Sequence, residues 1–353
     1  MPKSVVVQTN VPPDGSRPIE AGVLATDPNV EFALRGFCGT PEQLIAALHD
    51  ADVGLCGREY YTRAVFERTP RLKGVVRYGV GVDTIDLDAA TEHGVIVAYF
   101  PDFCTAEVAN HTLALLLACA KKLVLLDRAF REEGWYQAKR YNSPMGTIHG
   151  ETLGLLAFGT IAQAVAKRAR AFDMRVIAYD PFVDPAVFAR TGVEQVELSD
   201  LAARSDYVSC HVPLIETTRG MIDASFFAHM KPTAYFINNS RGALVNEADM
   251  IAAVQEKRIA GVGLDVFEDE PVYGEHPLFD MPNVVLTPHN AAWADATFAS
   301  LYTRVGQAAL DIIHGKQPEY VANPAVLERL RKRTCASNII ERRSDANRPE
   351  AAG

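Results

Sequence analysis

Positive charge is in short supply in this sequence of 353 residues: 35 Lys and Arg stand against 44 Asp and Glu, a formal net charge of −9. That deficit argues against nonspecific binding to nucleic acid or to a membrane surface. Long apolar runs are lacking too. The opening residues, MPKSVVVQTN, turn polar before any leader core develops. The densest apolar stretch, Leu113 to Ala120, is too short to cross a bilayer and ends at Lys121 and Lys122. The six cysteines (Cys38, Cys56, Cys104, Cys119, Cys210, Cys335) form no C-x-x-C pair, and most sit in apolar segments. Reduced, buried thiols in a cytoplasmic protein are therefore expected, not disulfides or a metal site. No histidine or cysteine spacing resembles a metal-ligand pattern.

What is present is a regular alternation. Hydrophobic content of 48% and charged content of 22% suit a globular chain long enough for two domains. In the first hundred residues SVVVQTN, VGLCG, KGVVRYG and GVIVAYF read as short buried strands, with TPEQLIAALHDA and TRAVFERTP as helices. A long helix is expected from an N-cap at Thr105 through Leu126, followed by an exposed arm or loop bearing Trp135 and Tyr136. From Thr152 six strands are expected (TLGLLAF, MRVIAYD, YVSCHVP, AYFINN, GVGLDVF, NVVLTP), with helices between them. Apolar runs without period-two alternation suit a parallel sheet covered on both faces. The fold class is α/β with a doubly wound, Rossmann-type sheet. A last long helix is expected over about Trp293 to His314. Residues 326–353, which include RLRKR and ERRSDANRPEAAG, are expected to form a disordered, solvated tail.

The stretch GLLAFGTIA occupies the place of a dinucleotide-binding turn. Of the fingerprint G-x-G-x-x-G only Gly159 survives, with Ala157 and Ala162 in the outer places. Gly159 is the position where a side chain would collide with a pyrophosphate, and alanine is an accepted variant in the third place. Ala157 is the departure: its methyl is tolerable at negative φ and costly otherwise. The helix that follows offers free amides to an anion. Asp180, at the end of the next strand, suits a ribose diol and repels a 2′-phosphate, which favours NAD over NADP.

Three polar groups fall at later strand ends: Arg241 in NSRG, Glu270 in VFEDEP after Asp265, and His289 in TPHN. Ligand chemistry in an open parallel sheet gathers past the carboxyl ends of its strands. A guanidinium can fork onto a carboxylate. An imidazole can pass a proton, and a carboxylate beside it fixes its tautomer. Each residue alone has a plainer reading: a turn arginine, an acidic loop, a helix cap. Their common placement favours function. His211, also at a strand end, competes as a base, whereas His111 and His149 have no such placement.

These residues resemble those of the D-isomer-specific 2-hydroxyacid dehydrogenase family. The likeness runs from the first strand to about Asn323 through VRYGVGVDTIDLDAA, TAEVANHTLALLLACAKK, HVPLIETTRGMID, FINNSRGALVNE, GVGLDVFEDEP and VVLTPHNAAW. The resemblance implies two Rossmann-like domains, with a discontinuous, flavodoxin-like substrate domain over 1–104 and 293–325 and an NAD-binding domain over 105–292. It implies NAD-dependent interconversion of a 2-oxo acid and a D-2-hydroxy acid. Arg241 would bind the substrate carboxylate and polarise the keto oxygen. His289 would be the general acid and base, paired with Glu270, and the amides of Val80 and Gly81 would hold the carboxylate. Gly159, Thr160, Ile161, Asp180, Pro213, Thr218, Asn239, Arg241, Asp265 and His289 fall on cofactor-contacting positions, and a homodimer through the cofactor domain is implied. The wording of TAEVANHTLALLL and RYGVGVD is closest to the branch that includes C-terminal binding proteins, so an NAD(H)-responsive corepressor-like binder with little turnover is the alternative. Formate enzymes of the superfamily carry glutamine where Glu270 stands. A phosphoglycerate dehydrogenase is open, although the tail is too short for a regulatory domain. Tyr99 and Trp293 stand where members often carry smaller residues.

Overall fold

The computed structural model describes residues 3–9 and 19–332, and the chain divides into two compact units, Met1–Phe103 with Asp295–Gly353 and Cys104–Ala294. In the first unit, short apolar runs become a parallel sheet of β1 (Ser4–Gln8), β2 (Val30–Leu34), β3 (Val53–Cys56), β4 (Gly74–Arg77) and β5 (Ile96–Ala98), in the order β2-β1-β3-β4-β5. This is the flavodoxin-like doubly wound order. Its crossovers carry α1 (Ile19–Leu24), α2 (Pro41–Leu48), α3 (Arg63–Arg68) and α4 (Leu87–His93). The start of α2 follows from its sequence: the Thr40 hydroxyl accepts from Gln43 N in a capping box, and Pro41 occupies the first turn. Strand β2 adds to the four expected strands. It is an edge strand with no fully buried residue, so VEFAL lacks the apolar run that marks the others.

The second unit opens with α5 (Thr105–Ala120), α6 (Leu123–Glu133) and α7 (Trp135–Ala138). The single helix expected through Leu126 is thus broken: Lys122 takes left-handed backbone, φ 49°, between α5 and α6. Thr105 is the first helical residue and Cys104 the cap. The expected arm is helical over 135–142 and irregular after it, and its Trp135 and Tyr136 are 61% and 81% exposed.

From there β6 (Thr152–Leu156), α8 (Thr160–Arg170), β7 (Arg175–Tyr179), α9 (Pro185–Thr191), β8 (Glu194–Gln195), α10 (Leu198–Arg204), β9 (Tyr207–Cys210), α11 (Ala224–His229), β10 (Tyr235–Asn238), α12 (Glu247–Gln255), β11 (Gly261–Leu264) and β12 (Val284–Leu286) alternate. All strands are parallel, in the order β12-β11-β10-β9-β6-β7-β8. This is the Rossmann order, with the switch point between β6 and β9. The two-residue β8 is a seventh strand beyond the six expected.

Register sets two rows at the carboxyl edge. Leu156 pairs with Tyr179 and Cys210, which puts Ala157, Asp180 and His211 next in line. Asn238 pairs with Leu264, and Leu264 with Leu286, which lines up Asn239, Asp265 and Thr287. Separate apolar clusters pack against the sheet, one with residues of α5 and α8 and the other with residues of α10 to α12.

The chain re-enters the first unit with α13 (Asp295–Ile313), whose Leu301, Val305 and Ala309 are buried against that unit's sheet. A further helical stretch, 325–332, buries Val326 and packs Leu327 and Leu330 on the same cluster. The expected disordered tail is therefore wrong for 326–332: LERL carries enough apolar surface to dock. The rest of that tail, with Cys335, lies outside the described residues. Five cysteines among the described residues are free and buried. No helix among those residues is long and apolar enough to cross a membrane.

Asn323 fastens this returning segment. Its Oδ1 accepts from Val97 N at 2.9 Å, and its Nδ2 donates to Val95 O at 2.9 Å and to Thr91 Oγ1 at 3.0 Å. Asn323→Ala strands the buried Val97 N and Val95 O, in and just before β5, so unfolding free energy should drop by about 2–4 kcal/mol. Denaturant titration checks this, and a loss under about 0.5 kcal/mol would mean that surface substitution behaviour applies instead.

Candidate active site

The turn after β6 is held by side chains around it. Ala157 N donates to Tyr179 O at 2.8 Å, and Phe158 N donates to Asp180 Oδ2 at 2.8 Å. Phe158 is fully buried and stacks on Phe188 at 4.9 Å between ring centroids. Ala157 adopts φ +69°, so the costly case for a methyl is the one realised. Gly159 is the N-cap of α8, and the first backbone bond of the helix runs from Gln163 N to Gly159 O. Thr160 and Ile161 lie in its first turn, where helix amides face outward toward an anion. A side chain added at Gly159 would meet nothing within 4 Å, so the approach to the turn is open.

Asp180 is only 8% exposed and does more than await a ribose. Its Oδ1 also accepts from Phe182 N at 2.9 Å and Val183 N at 3.2 Å. A carboxylate offers about four acceptor sites, so capacity remains for one further donor such as a ribose hydroxyl.

The second row carries the catalytic candidates. Asp265, 1% exposed, accepts from Thr287 Oγ1 at 2.6 Å and Asn290 N at 2.9 Å on Oδ1, and from Ala291 N at 2.8 Å on Oδ2. This clamps the loop that bears His289, whose own N–H donates to Asp265 O at 2.8 Å. His289 sits at φ 53°, a conformation that a β-substituted residue keeps only where its surroundings impose it. Its Nδ1 lies 2.6 Å from Glu270 Oε2, while Glu270 Oε1 accepts from Phe267 N at 3.0 Å. The carboxylate accepts, so the proton belongs on Nδ1, and Nε2 is the atom left to exchange a proton with a ligand.

Gly242 brings the Arg241 loop against the Glu270 loop. A Cβ there would stand 1.9 Å from Phe267 C and O, so only glycine permits the approach. Arg241 Nη1 donates to Ser240 O at 2.8 Å, and its carbonyl accepts from Asn238 Nδ2 at 2.9 Å. One pair and one row thus bring Arg241, Glu270 and His289 to adjoining loops of this unit.

The remaining candidates divide. Thr218 Oγ1 donates to Pro213 O at 2.8 Å and shapes the loop after β9. Val80 and Gly81 follow β4 in the first unit, where Arg77 Nε holds Gly81 O at 3.0 Å. His211 is corrected as a candidate base. Its ring keeps some surface but is packed closely enough that desolvation pushes its pKa down to about 4, and it bonds Ser209 Oγ at 2.9 Å. His149 is exposed beside Asp173. His111 was given no placement by the sequence, yet its Nε2 lies 2.9 Å from Thr287 Oγ1. The one signal was a polar His-Thr pair inside an apolar helix. A groove of about 660 Å³ lies at the opposite, amino ends of β6 and β7. Its Arg170 and Arg204 stand in the last turns of α8 and α10, where cations offset the helix dipole.

The fit to a dinucleotide can be tested on the chain itself. Asn239 Oδ1 is buried without a hydrogen-bond partner while its Nδ2 donates to Thr112 Oγ1 at 2.7 Å, so an acceptor is left for a ligand donor. With the open turn at Gly159 and the spare site on Asp180, the residues fit NAD.

Residues 113–291 match the model of the D-isomer specific 2-hydroxyacid dehydrogenase NAD binding domain. The chain belongs to the D-isomer specific 2-hydroxyacid dehydrogenases. Among its relatives in this dehydrogenase family, D-3-phosphoglycerate dehydrogenase of Methanocaldococcus jannaschii is 37% identical over 80% of this chain and 54% of its own length. Glyoxylate reductase of Korarchaeum cryptofilum is 39% identical over 75% of this chain and 80% of its own. A protein of Thermus thermophilus superposes with a TM-score of 0.80 at 30% identity, covering 90% of this chain and 99% of that one. The match spans about half the length of the phosphoglycerate dehydrogenases. These relatives support the dehydrogenase reading and lend nothing to the corepressor-like alternative.

Left-handed backbone costs an alanine about 1–2 kcal/mol, partly offset by the greater freedom of glycine in the unfolded chain. Ala157→Gly should therefore raise the unfolding free energy by about 0.5–1 kcal/mol and leave NADH binding equal or tighter. Denaturant unfolding with a fluorescence titration of NADH checks both, and a less stable or markedly weaker-binding variant would show that the Ala157 methyl is a needed packing contact.

Proposed function

We propose that this protein is a cytoplasmic NAD-dependent dehydrogenase that reduces a small 2-oxo acid to a D-2-hydroxy acid and catalyses the reverse. The observation that carries this reading is the 2.6 Å contact between His289 Nδ1 and Glu270, on a loop packed against Arg241-Gly242. Hydride chemistry is supplied by bound nicotinamide. Arg241 orients the substrate by its carboxylate and polarises the keto oxygen. His289 Nε2 gives a proton to the oxygen during reduction and takes it back during oxidation. Glu270 fixes the tautomer and stabilises the charged imidazole. Asn239, Pro213, Thr218 and the first turn of α8 hold the cofactor, and Asp265 acts beside them as the fastener of the His289 loop.

The substrate class is tested by NADH oxidation across glyoxylate, pyruvate, hydroxypyruvate, phosphohydroxypyruvate, phenylpyruvate and branched 2-oxo acids. Turnover of at least one supports the reading, and no turnover with any of them removes it. Trp293, 57% exposed just past the His289 loop, is the residue to vary if bulky acids are refused.

Reduction needs the protonated imidazole, so kcat/KM for the 2-oxo acid should fall as pH rises, while oxidation should rise over the same range. Glu270→Gln removes the carboxylate that Nδ1 meets at 2.6 Å, so kcat should fall about tenfold or more in both directions. An unchanged kcat would dissolve the pair. NAD should also be preferred to NADP, because the Asp180 charge meets a 2′-phosphate. Kinetic efficiency equal for both cofactors in the parent would refute this, and Asp180→Ala should narrow the gap while loosening the turn.

The arm supports a homodimer through the second unit, since Leu123, Val124, Phe130, Trp135 and Tyr136 are all at least half exposed. Light scattering should report twice the chain mass, and Trp135→Ser with Tyr136→Ser should shift the protein toward monomer.

A further inference from the structure

Helix α5 touches both catalytic loops with two consecutive residues. Thr112, fully buried, accepts from Asn239 Nδ2 at 2.7 Å and donates to Val108 O at 2.8 Å, which pins the segment leading into Arg241. His111 Nε2 lies 2.9 Å from Thr287 Oγ1, and Thr287 Oγ1 lies 2.6 Å from Asp265 Oδ1. The direction of this chain follows from donor counting. A threonine hydroxyl has one proton, and the carboxylate can only accept it. His111 must therefore donate from Nε2 to Thr287. The chain runs His111 to Thr287 to Asp265, and Asp265 in turn holds Asn290 N and Ala291 N on either oxygen.

The reach is made possible by packing one and two turns along. Leu115 and Cys119 share a face with His111 at four-residue spacing. A Cβ at Gly263 of β11 would stand 3.2 Å from both Leu115 Cβ and Cys119 Sγ, so the bare glycine lets α5 lie close on the sheet. That brings His111 over the end of β11 and β12, 176 residues away from Thr287 in sequence.

We propose that His111 is a positioning residue of the active site: through Thr287 and Asp265 it holds the His289 loop at the spacing from Arg241 that Thr112 fixes on the same helix. The proposal rests on the catalytic reading of Arg241 and His289. His111 acts through Thr287 and not on substrate or cofactor. It supplies a directed hydrogen bond without which the Thr287 hydroxyl can turn to Leu264 O, 3.4 Å away, and release Asp265.

The test uses His111→Leu, which removes the donor, His111→Gln, which offers an amide N–H in its place, and Thr287→Val, which removes the link. In His111→Leu and Thr287→Val, kcat should fall about tenfold to a hundredfold, with KM and NADH affinity within about twofold of the parent. His111→Gln should recover most of kcat, and the double variant His111→Leu, Thr287→Val should be no worse than the poorer single one, because both cut one chain. A merely structural role would raise KM and lower stability together, show no rescue by glutamine, and give losses that add. Any of those outcomes overturns the proposal. Hydrogen exchange of the peptide covering 287–292 is followed in parallel, since it needs no turnover: protection should drop in His111→Leu and return in His111→Gln. Should the parent turn over no 2-oxo acid, the catalytic reading fails separately, and unchanged exchange in His111→Leu would then refute the chain on its own. Should His111→Leu not fold, Thr287→Val with Thr287→Ser as its rescue carries the same comparison.

Discussion

The buried carboxylate of Asp265 is the constraint on which the second unit's chemistry depends. At 1% exposure its charge must be met by donors. The donors it finds are the Thr287 hydroxyl and the amides of Asn290 and Ala291, on both sides of His289. Those bonds leave the intervening backbone little choice, and His289 is held at φ 53° as a result. Strain of this kind survives only where neighbours over-determine it. Here the result is an imidazole whose Nδ1 meets Glu270 and whose Nε2 is left for proton exchange. Losing the Thr287 hydroxyl would leave a buried charge short of a partner, and that hydroxyl is the group His111 reaches from α5.

The cofactor turn solves a similar problem by a different route. With alanine where the fingerprint has its first glycine, the turn still adopts the left-handed conformation, φ +69° at Ala157. What compensates is local: Asp180 takes the Phe158 amide, Phe188 stacks on the Phe158 ring, and Gln163 Nε2 donates to Phe158 O at 3.0 Å. Asp180 therefore fastens the turn with three amide bonds and still keeps one acceptor site unused.

The family relationship gives these arrangements a context without deciding the substrate. Its relatives include phosphoglycerate dehydrogenases and glyoxylate reductases at comparable identity. In the second unit Arg241, Glu270 and His289 stand on adjoining loops past the strand ends of one sheet.

Much of this was set by local pattern. Parallel strands buried on both faces must be continuous apolar runs, so TLGLL, YVSC and GVGL declared themselves, and the strand-end rule then singled out Asp180, Arg241, Asp265 and His289. Elements whose signal is weak were missed for physical reasons. β2 and β8 are edge strands with exposed residues. The break at Lys122 falls between lysines and leucines that favour helix, and the docking of 326–332 depends on an apolar surface supplied by β-strands and α13. Backbone sign at Ala157 is set by bonds to Tyr179 and Asp180, and no propensity records it. The role of His111 was least legible of all. A histidine on an apolar helix becomes part of the site only because Gly263 lets that helix lie low over the sheet, and a hydrogen bond between residues so far apart in the chain exists only once the sheet has brought them together.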